Sequence, residues 1–125
     1  MSIRKKANEW FRKKYGLGKE PIYSSKFYQP EESWPKKSVW WPKIPLNEIQ
    51  EIRHSHINLL CEVSPNSDDF HYLKVPTKYL NENLENFHTI GNLIDLYLST
   101  EPKTFLIEIR GKGNLDFSQF LIKEK

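Results

Sequence analysis

Hydrophobic positions in the first fifteen residues recur at helical spacing, with Ile3, Ala7, Trp10, Phe11 and Tyr15 falling on one stripe. Arg4, Lys5, Lys6, Arg12, Lys13 and Lys14 take the other face. The pattern predicts a basic amphipathic helix from Ser2 to Tyr15, with Ser2 as a cap and Gly16 and Gly18 as stops. Between Lys19 and Glu32 no period emerges, and Pro21, Ser24, Ser25 and Pro30 point to an irregular connection held down by Tyr23, Phe27 and Tyr28. From Asn47 a short helix to about Arg53 is expected, with Gln50 as the reciprocal capping partner and Ile49 and Ile52 facing inward.

Alternation then takes over. Ile57, Leu59, Cys61 and Val63 alternate with Asn58, Leu60 and Glu62, which predicts a strand, and Phe70 to Val75 predicts its hairpin partner. Thr77 is placed to cap a helix reaching about Phe87, with Tyr79, Leu80, Leu84 and Phe87 inward. The best hairpin pattern joins Leu93–Ser99 to Thr104–Arg110 across a turn containing Pro102. Ile94, Leu96 and Leu98 share one face of its first strand, and Phe105, Ile107 and Ile109 one face of its second. Asp116 to Ile122 fits either an edge strand or a last short helix. The chain therefore reads as a single α+β domain, mainly antiparallel sheet with a basic N-terminal helix and two further short helices. Residues 1–45 form its basic arm and residues 46–125 its patterned body.

One stretch stands outside either period. Trp34 to Pro45 packs Trp34, Trp40 and Trp41, Pro35, Pro42 and Pro45, and Lys36, Lys37 and Lys43 into a single run. Proline fixes φ, removes a donor and pushes the preceding residue toward extended geometry, so helix and central strand are both expected to be excluded here. The indoles then either pin an extended chain onto the body or stand out as flat faces for a partner. Stacking faces interleaved with lysines suit single-stranded or looped nucleic acid.

Charge sharpens that reading. Residues 1–45 carry eleven Lys or Arg against four Glu, and residues 46–125 carry eight against twelve acids. The net +3 therefore conceals a strongly basic arm on a mildly acidic body, a distribution that points to an anionic partner, most often nucleic acid. The single cysteine, Cys61, permits no intramolecular disulfide. No apolar run approaches the length of a membrane span, and no apolar leader follows the N-terminal basic residues. A cytoplasmic protein that does not enter membranes is the expectation.

Candidate chemistry is sparse. If Ser99 paired with Thr104 across the hairpin turn, Asp95 would lie opposite Glu108 on the face away from the aliphatic stripe. Asp95 on one strand followed by Glu108-Ile109-Arg110 on the next resembles the metal-binding core of PD-(D/E)xK nucleases, with Arg110 where that family has lysine. The resemblance implies Asp95 and Glu108 as ligands of a Mg²⁺ ion that activates water against a phosphodiester. His54, His56, His71 and His88 with Cys61 offer a weaker zinc set, without an established motif spacing. No glycine-rich phosphate loop or serine-nucleophile elbow is present.

Binding without catalysis, and without a cofactor, is thus the leading expectation. Arg4, Lys5, Arg12, Lys13 and Lys14 would meet phosphates, and Trp34, Trp40 and Trp41 with Lys36, Lys37 and Lys43 would stack and neutralise. A protein-interaction module, such as a small inhibitor or cognate neutraliser of another protein, is the alternative, and the metal-dependent nuclease a second.

Overall fold

The strand His56–Glu62 is buried from Ile57 onward at every position, on both faces. A strand of that kind needs cover on each side. The computed structural model describes residues 2–16, 18–33, 36–51 and 53–123. It opens with helix α1 (Ile3–Tyr15) and strands β1 (Ile22–Ser25), β2 (Phe27–Tyr28), β3 (Val39–Trp40) and β4 (Lys43–Pro45). Helix α2 (Leu46–Gln50), strands β5 (His56–Glu62) and β6 (Phe70–Pro76) and helix α3 (Thr77–Glu82) follow, and then strands β7 (His88–Ile90), β8 (Leu93–Asp95) and β9 (Leu98–Ser99).

These strands form three small sheets, ordered β1-β5-β6, β2-β3-β9 and β4-β8-β7. The pairing of β1 with β5 is parallel, and the other strand pairs are antiparallel. One face of β5 places Ile57, Leu59 and Cys61 in the main core beside Trp40, Ile44, Ile94, Leu98 and Phe117. Its other face places Leu60 with Phe70 and Tyr72 against Ala7 and Phe11 of α1. The fold is α+β, as the patterning indicates, and the helix covers the face that the two smaller sheets leave open.

Local rules account for the start of α1. The Ser2 side chain accepts a hydrogen bond from the Lys5 amide at 3.2 Å, and Gly16 ends the helix with φ 80°, in the left-handed region that favours glycine. Arg12, Lys13 and Lys14 occupy the last turn, where the helix dipole favours cations.

Several expectations are corrected. The segment read as an irregular connection contains β1 and β2, and β1 is ordered by its parallel partner β5 through Ile22↔Asn58 to Ser25↔Cys61. A four-residue strand whose ladder lies in distant sequence leaves little local signal. Strand β3 is a central strand, contrary to the proline argument, because Val39–Trp40 carries no proline and pairs on both sides. Pro45 lies in β4 and Pro76 in β6, both edge strands, and Pro42 lies outside any strand.

The two short helices follow prolines rather than the expected caps. Pro45 precedes α2 and Pro76 precedes α3, with no side-chain cap hydrogen bond at either. Ile49 is buried as expected, and Ile52 lies outside the described residues. Beyond α3, Leu84–Asn86 is a 3-10 turn rather than a continued helix. The terminal segment resolves its ambiguity by using both forms: Phe117–Phe120 is a 3-10 turn, and Leu121 bridges to Leu73.

The expected hairpin between Leu93–Ser99 and Thr104–Arg110 forms only in part and in a shifted register: the Leu106 amide donates to the Ser99 carbonyl at 2.8 Å, the Ser99 amide to the Ile107 carbonyl at 3.0 Å and the Ile109 amide to the Tyr97 carbonyl at 2.8 Å. Leu93–Asp95 pairs with β4 and β7, and Leu98–Ser99 pairs with β3. The later segment is left with isolated bridges, Leu98↔Glu108 and Ile107↔Asp116. The cause lies in the connection, where Pro102–Thr104 makes a 3-10 turn and Leu106 takes φ 63°, which breaks the alternation of an extended strand. Asp95 therefore faces Lys43 and His88 across the sheet, and not Glu108.

Trp40 is 1 % exposed and donates its indole N–H to the Glu62 carbonyl at 2.7 Å. Its ring meets Phe27, Phe105 and His71 edge-on, with centroids 5.4 to 5.9 Å apart. We predict that Trp40→Ala costs about 3–5 kcal/mol in urea unfolding, the range for truncating a buried aromatic. A cost near that of a surface change would remove Trp40 from the core.

Candidate nucleic-acid interface

Helix α1 divides its residues by face. Ala7 and Phe11 are buried against the sheet, while Arg4, Lys5, Arg12, Lys13 and Lys14 are exposed. Lys14 also lies over the Trp10 ring at 4.9 Å. Arg4 and Lys5 precede Arg12 and Lys13 by two turns, about 12 Å along the axis at 1.5 Å per residue. On duplex DNA that spans about three to four base steps.

The first turn of α1 holds no acid, and it carries Arg4 and Lys5, where the dipole disfavours cations by a few tenths to about 1 kcal/mol. Packing gives no reason for them, since both point to water. Beside the helix runs a groove of about 430 Å³ lined by Arg4, Asn8, Phe11 and Arg12 on one side and by Glu20 and Tyr23 on the other. Glu9 interrupts the basic face of the helix itself.

The proline-rich stretch separates into parts with different roles. Trp40, expected among the stacking residues, is core, so its ring presents no face to a base. Trp34 lies outside the described residues. Lys36, Lys37 and Lys43 are exposed, and Lys36 adopts φ 57° in a turn where the Ser33 hydroxyl donates to the Lys37 carbonyl at 2.7 Å. Trp41 is half-buried. Its indole N–H donates to the Asp95 carboxylate, and its ring meets Tyr28 and Tyr97 edge-on at 5.5 and 5.2 Å.

Asp95 and Glu108, the expected metal pair, are each taken up by protein donors, with Arg110 shared between them through its side chain and its amide. The Asp95 carboxylate is 0 % exposed and lies 3.1 Å from Arg110 Nε. Arg110 also stacks over the Tyr97 ring at 4.7 Å and reaches His88 Nε2 at 3.0 Å. Glu108 is 1 % exposed. One of its oxygens accepts from the Tyr97 and Arg110 amides at 2.8 and 3.1 Å, and the other from the Gly111 amide at 2.7 Å. A carboxylate surrounded by donors in this way closes a loop onto a strand end. Among the described residues no group of three or more His, Cys, Asp or Glu side chains is arranged to hold a metal ion.

The weaker zinc set is dispersed too. Cys61 is in the core, and burial pushes its thiol well above the ordinary range. His71 lies against Trp40 and Phe105, and burial lowers its ring from the usual histidine value. His56 is lowered first by burial and then by the nearby Lys74. Among the described residues no helix is long and apolar enough to cross a membrane.

Three residues of this region escaped the pattern analysis as functional candidates. Tyr28 reaches Trp41 because β2 pairs with β3 through Phe27↔Trp40 and Tyr28↔Val39. Lys26 then lies over Tyr28 at 4.7 Å, from the same face of an extended segment. Tyr97 joins them from the end of the chain segment that follows β8. Only the i, i+2 relation of Lys26 and Tyr28 is visible locally; the rest depends on long-range pairing.

Burial raises the Glu108 carboxyl above its ordinary value, and the amides of Tyr97, Gly111 and Arg110 oppose that rise. A raised carboxyl holds its proton more tightly in the folded state, so its contribution to stability is fully present below the ordinary glutamate range and is lost as pH rises through the raised value. We predict that urea unfolding across this window shows that loss in the native chain. In Glu108→Gln the step disappears, and because an NH₂ then faces a backbone N–H, overall stability falls by about 1–3 kcal/mol. An unchanged pH profile in the variant would refute the assignment. No protein family, curated protein or solved structure matches this chain.

Proposed function

We propose that this chain is a non-catalytic binding domain that contacts the phosphate backbone of nucleic acid through helix α1. The observation that supports the reading most directly is the outward set Arg4, Lys5, Arg12, Lys13 and Lys14, held on a helix whose opposite face is cemented to the sheet by Ala7 and Phe11. A rigid support removes most of the ordering cost of binding. The cations then act as a fixed array that displaces condensed counterions from the polyanion. Arg4 and Lys5 strengthen the case because they occupy a turn where the helix itself gains nothing from positive charge.

Arginine at positions 4 and 12 suits the task, since its planar fork meets two phosphate oxygens at once. Both line the groove beside α1, where Asn8 adds a neutral donor and acceptor between them. Nothing in this arrangement calls for bond cleavage, and the reading assigns the protein no reaction.

Fluorescence anisotropy with a labelled oligonucleotide at increasing salt tests the proposal. The expected slope of log affinity against log salt is about −0.7 to −0.9 for each phosphate neutralised, and the double change Arg4→Ala and Arg12→Ala should make it shallower by about two contacts' worth. The melting temperature should change little, because both side chains are exposed. Binding that ignores salt, or that survives the double change unaltered, defeats the proposal.

A further inference from the structure

We infer that Trp41, with Tyr28 at its edge, is a preoriented stacking platform for an unpaired base, so that the strand bound by this domain is single-stranded. The inference rests on the α1 reading and adds the class of nucleic acid to it.

The indole is aimed, and the aiming device is costly. Its N–H meets the fully buried carboxylate of Asp95, which is itself ion-paired to Arg110 at 3.1 Å. Removing two charges from water is expensive, and a hydrophobic pair of similar volume would often serve the fold as well. What this pair adds is direction: Arg110 is fixed by its stacking on Tyr97, Asp95 by Arg110, and the Trp41 ring by Asp95. Trp40, its neighbour, is spent entirely on the core, whereas Trp41 and Tyr28 remain half-buried.

The surroundings of the ring are cationic. Lys43 is exposed and lies over the Trp41 ring at 5.0 Å, and Lys26 lies over Tyr28 at 4.7 Å. A lysine on a flexible stem gives way to a base and then meets the adjoining phosphate, combining the two contacts that single strands require. Lys36 and Lys37 are exposed on the turn leading into β3. The acids facing this region include Glu32, paired with Lys26 at 2.7 Å, Glu62 in the pocket beside Lys26, and the buried Asp95.

The platform is also continuous with α1. Lys26 and Lys6 of the helix line one pocket of about 290 Å³, together with Glu32 and Glu62. Lys6 is held there by the Ser67 carbonyl, Asp68 and Glu62, and Lys26 by Glu32, so a strand bound at α1 would reach Tyr28, Trp41 and Lys43 by displacing those acids from Lys26 and Lys6. In a duplex the base faces are already stacked on each other, so only an unpaired base can use the part of the half-buried ring that reaches solvent.

The test compares the native protein on three labelled probes: a short oligothymidylate, an abasic strand of equal length, and a duplex of the same length. Oligothymidylate should bind roughly 5- to 150-fold more tightly than the abasic strand, the range for one stacked base, and more tightly than the duplex. Trp41→Ala should abolish the advantage over the abasic strand while leaving the salt slope intact, and Trp41→Phe, which keeps a ring, should restore part of it. Equal binding of oligothymidylate and abasic strand, with the Arg4 and Arg12 dependence intact, overturns the platform and leaves α1 as the interface. Preference for duplex also overturns it. If no probe binds at any salt, both readings fall and the aromatic surface passes to a protein partner. The comparison of probes on the native chain needs no variant to fold.

Discussion

A carboxylate shut away from water must be given donors, and three buried carboxylates tie this fold together. Glu62 accepts from the Phe27 amide at 2.9 Å, Asp95 takes the Trp41 indole and Arg110, and Glu108 gathers the amides of Tyr97, Arg110 and Gly111. Each joins a segment that has little or no ladder of its own to one that is well packed. Strands of two or three residues, such as β2, β3 and β9, supply few backbone bonds, and charge-assisted contacts of this kind are stronger than neutral ones. Losing either partner would strand the other in a place without water.

The same device explains how the basic arm belongs to the body. Strand β1 adds to β5, β2 pairs with β3 and β3 with β9, and β4 pairs with β8, so residues 22–45 reach every sheet. Trp40 anchors the crossing by burying its ring in the core and bonding the end of β5. Its neighbour Trp41 points the other way along the extended chain, which is why two adjacent and chemically identical residues have different fates.

Much of the architecture was legible where the period was long. The stripe Ile3, Ala7, Phe11 fixed α1, and the run from Ile57 to Val75 fixed the β5-β6 hairpin. Alternation nevertheless understated β5: Asn58, Leu60 and Glu62 look outward by pattern, but α1 returns over them, and all three are buried. The hairpin expected over Leu93–Arg110 survives only between Tyr97–Ser99 and Leu106–Ile109 and in another register, while Leu93–Asp95 pairs with β4 and β7, because periodicity records which face is apolar and not the register or the strand alongside. One local signal was present and passed over. Gly91-Asn92 between Ile90 and Leu93 is a two-residue hairpin turn, with Gly91 at φ 57°, and it joins β7 to β8. At the candidate interface the cations of α1 were readable from spacing alone, whereas the pairing of Trp41 with Tyr28, Tyr97 and Asp95 depends on contacts between segments far apart in sequence, which no local rule encodes.

Helix α1 seals Leu60, Phe70 and Tyr72 with one face and offers its cations with the other. Lifting it would uncover a flat apolar patch on a sheet. Anything that grips its outer face therefore also holds that patch closed, and by linkage raises the free energy of opening in proportion to the logarithm of its concentration. On the proposed function, a ligand held on the helix would therefore also guard the sheet beneath it against proteases and against self-association.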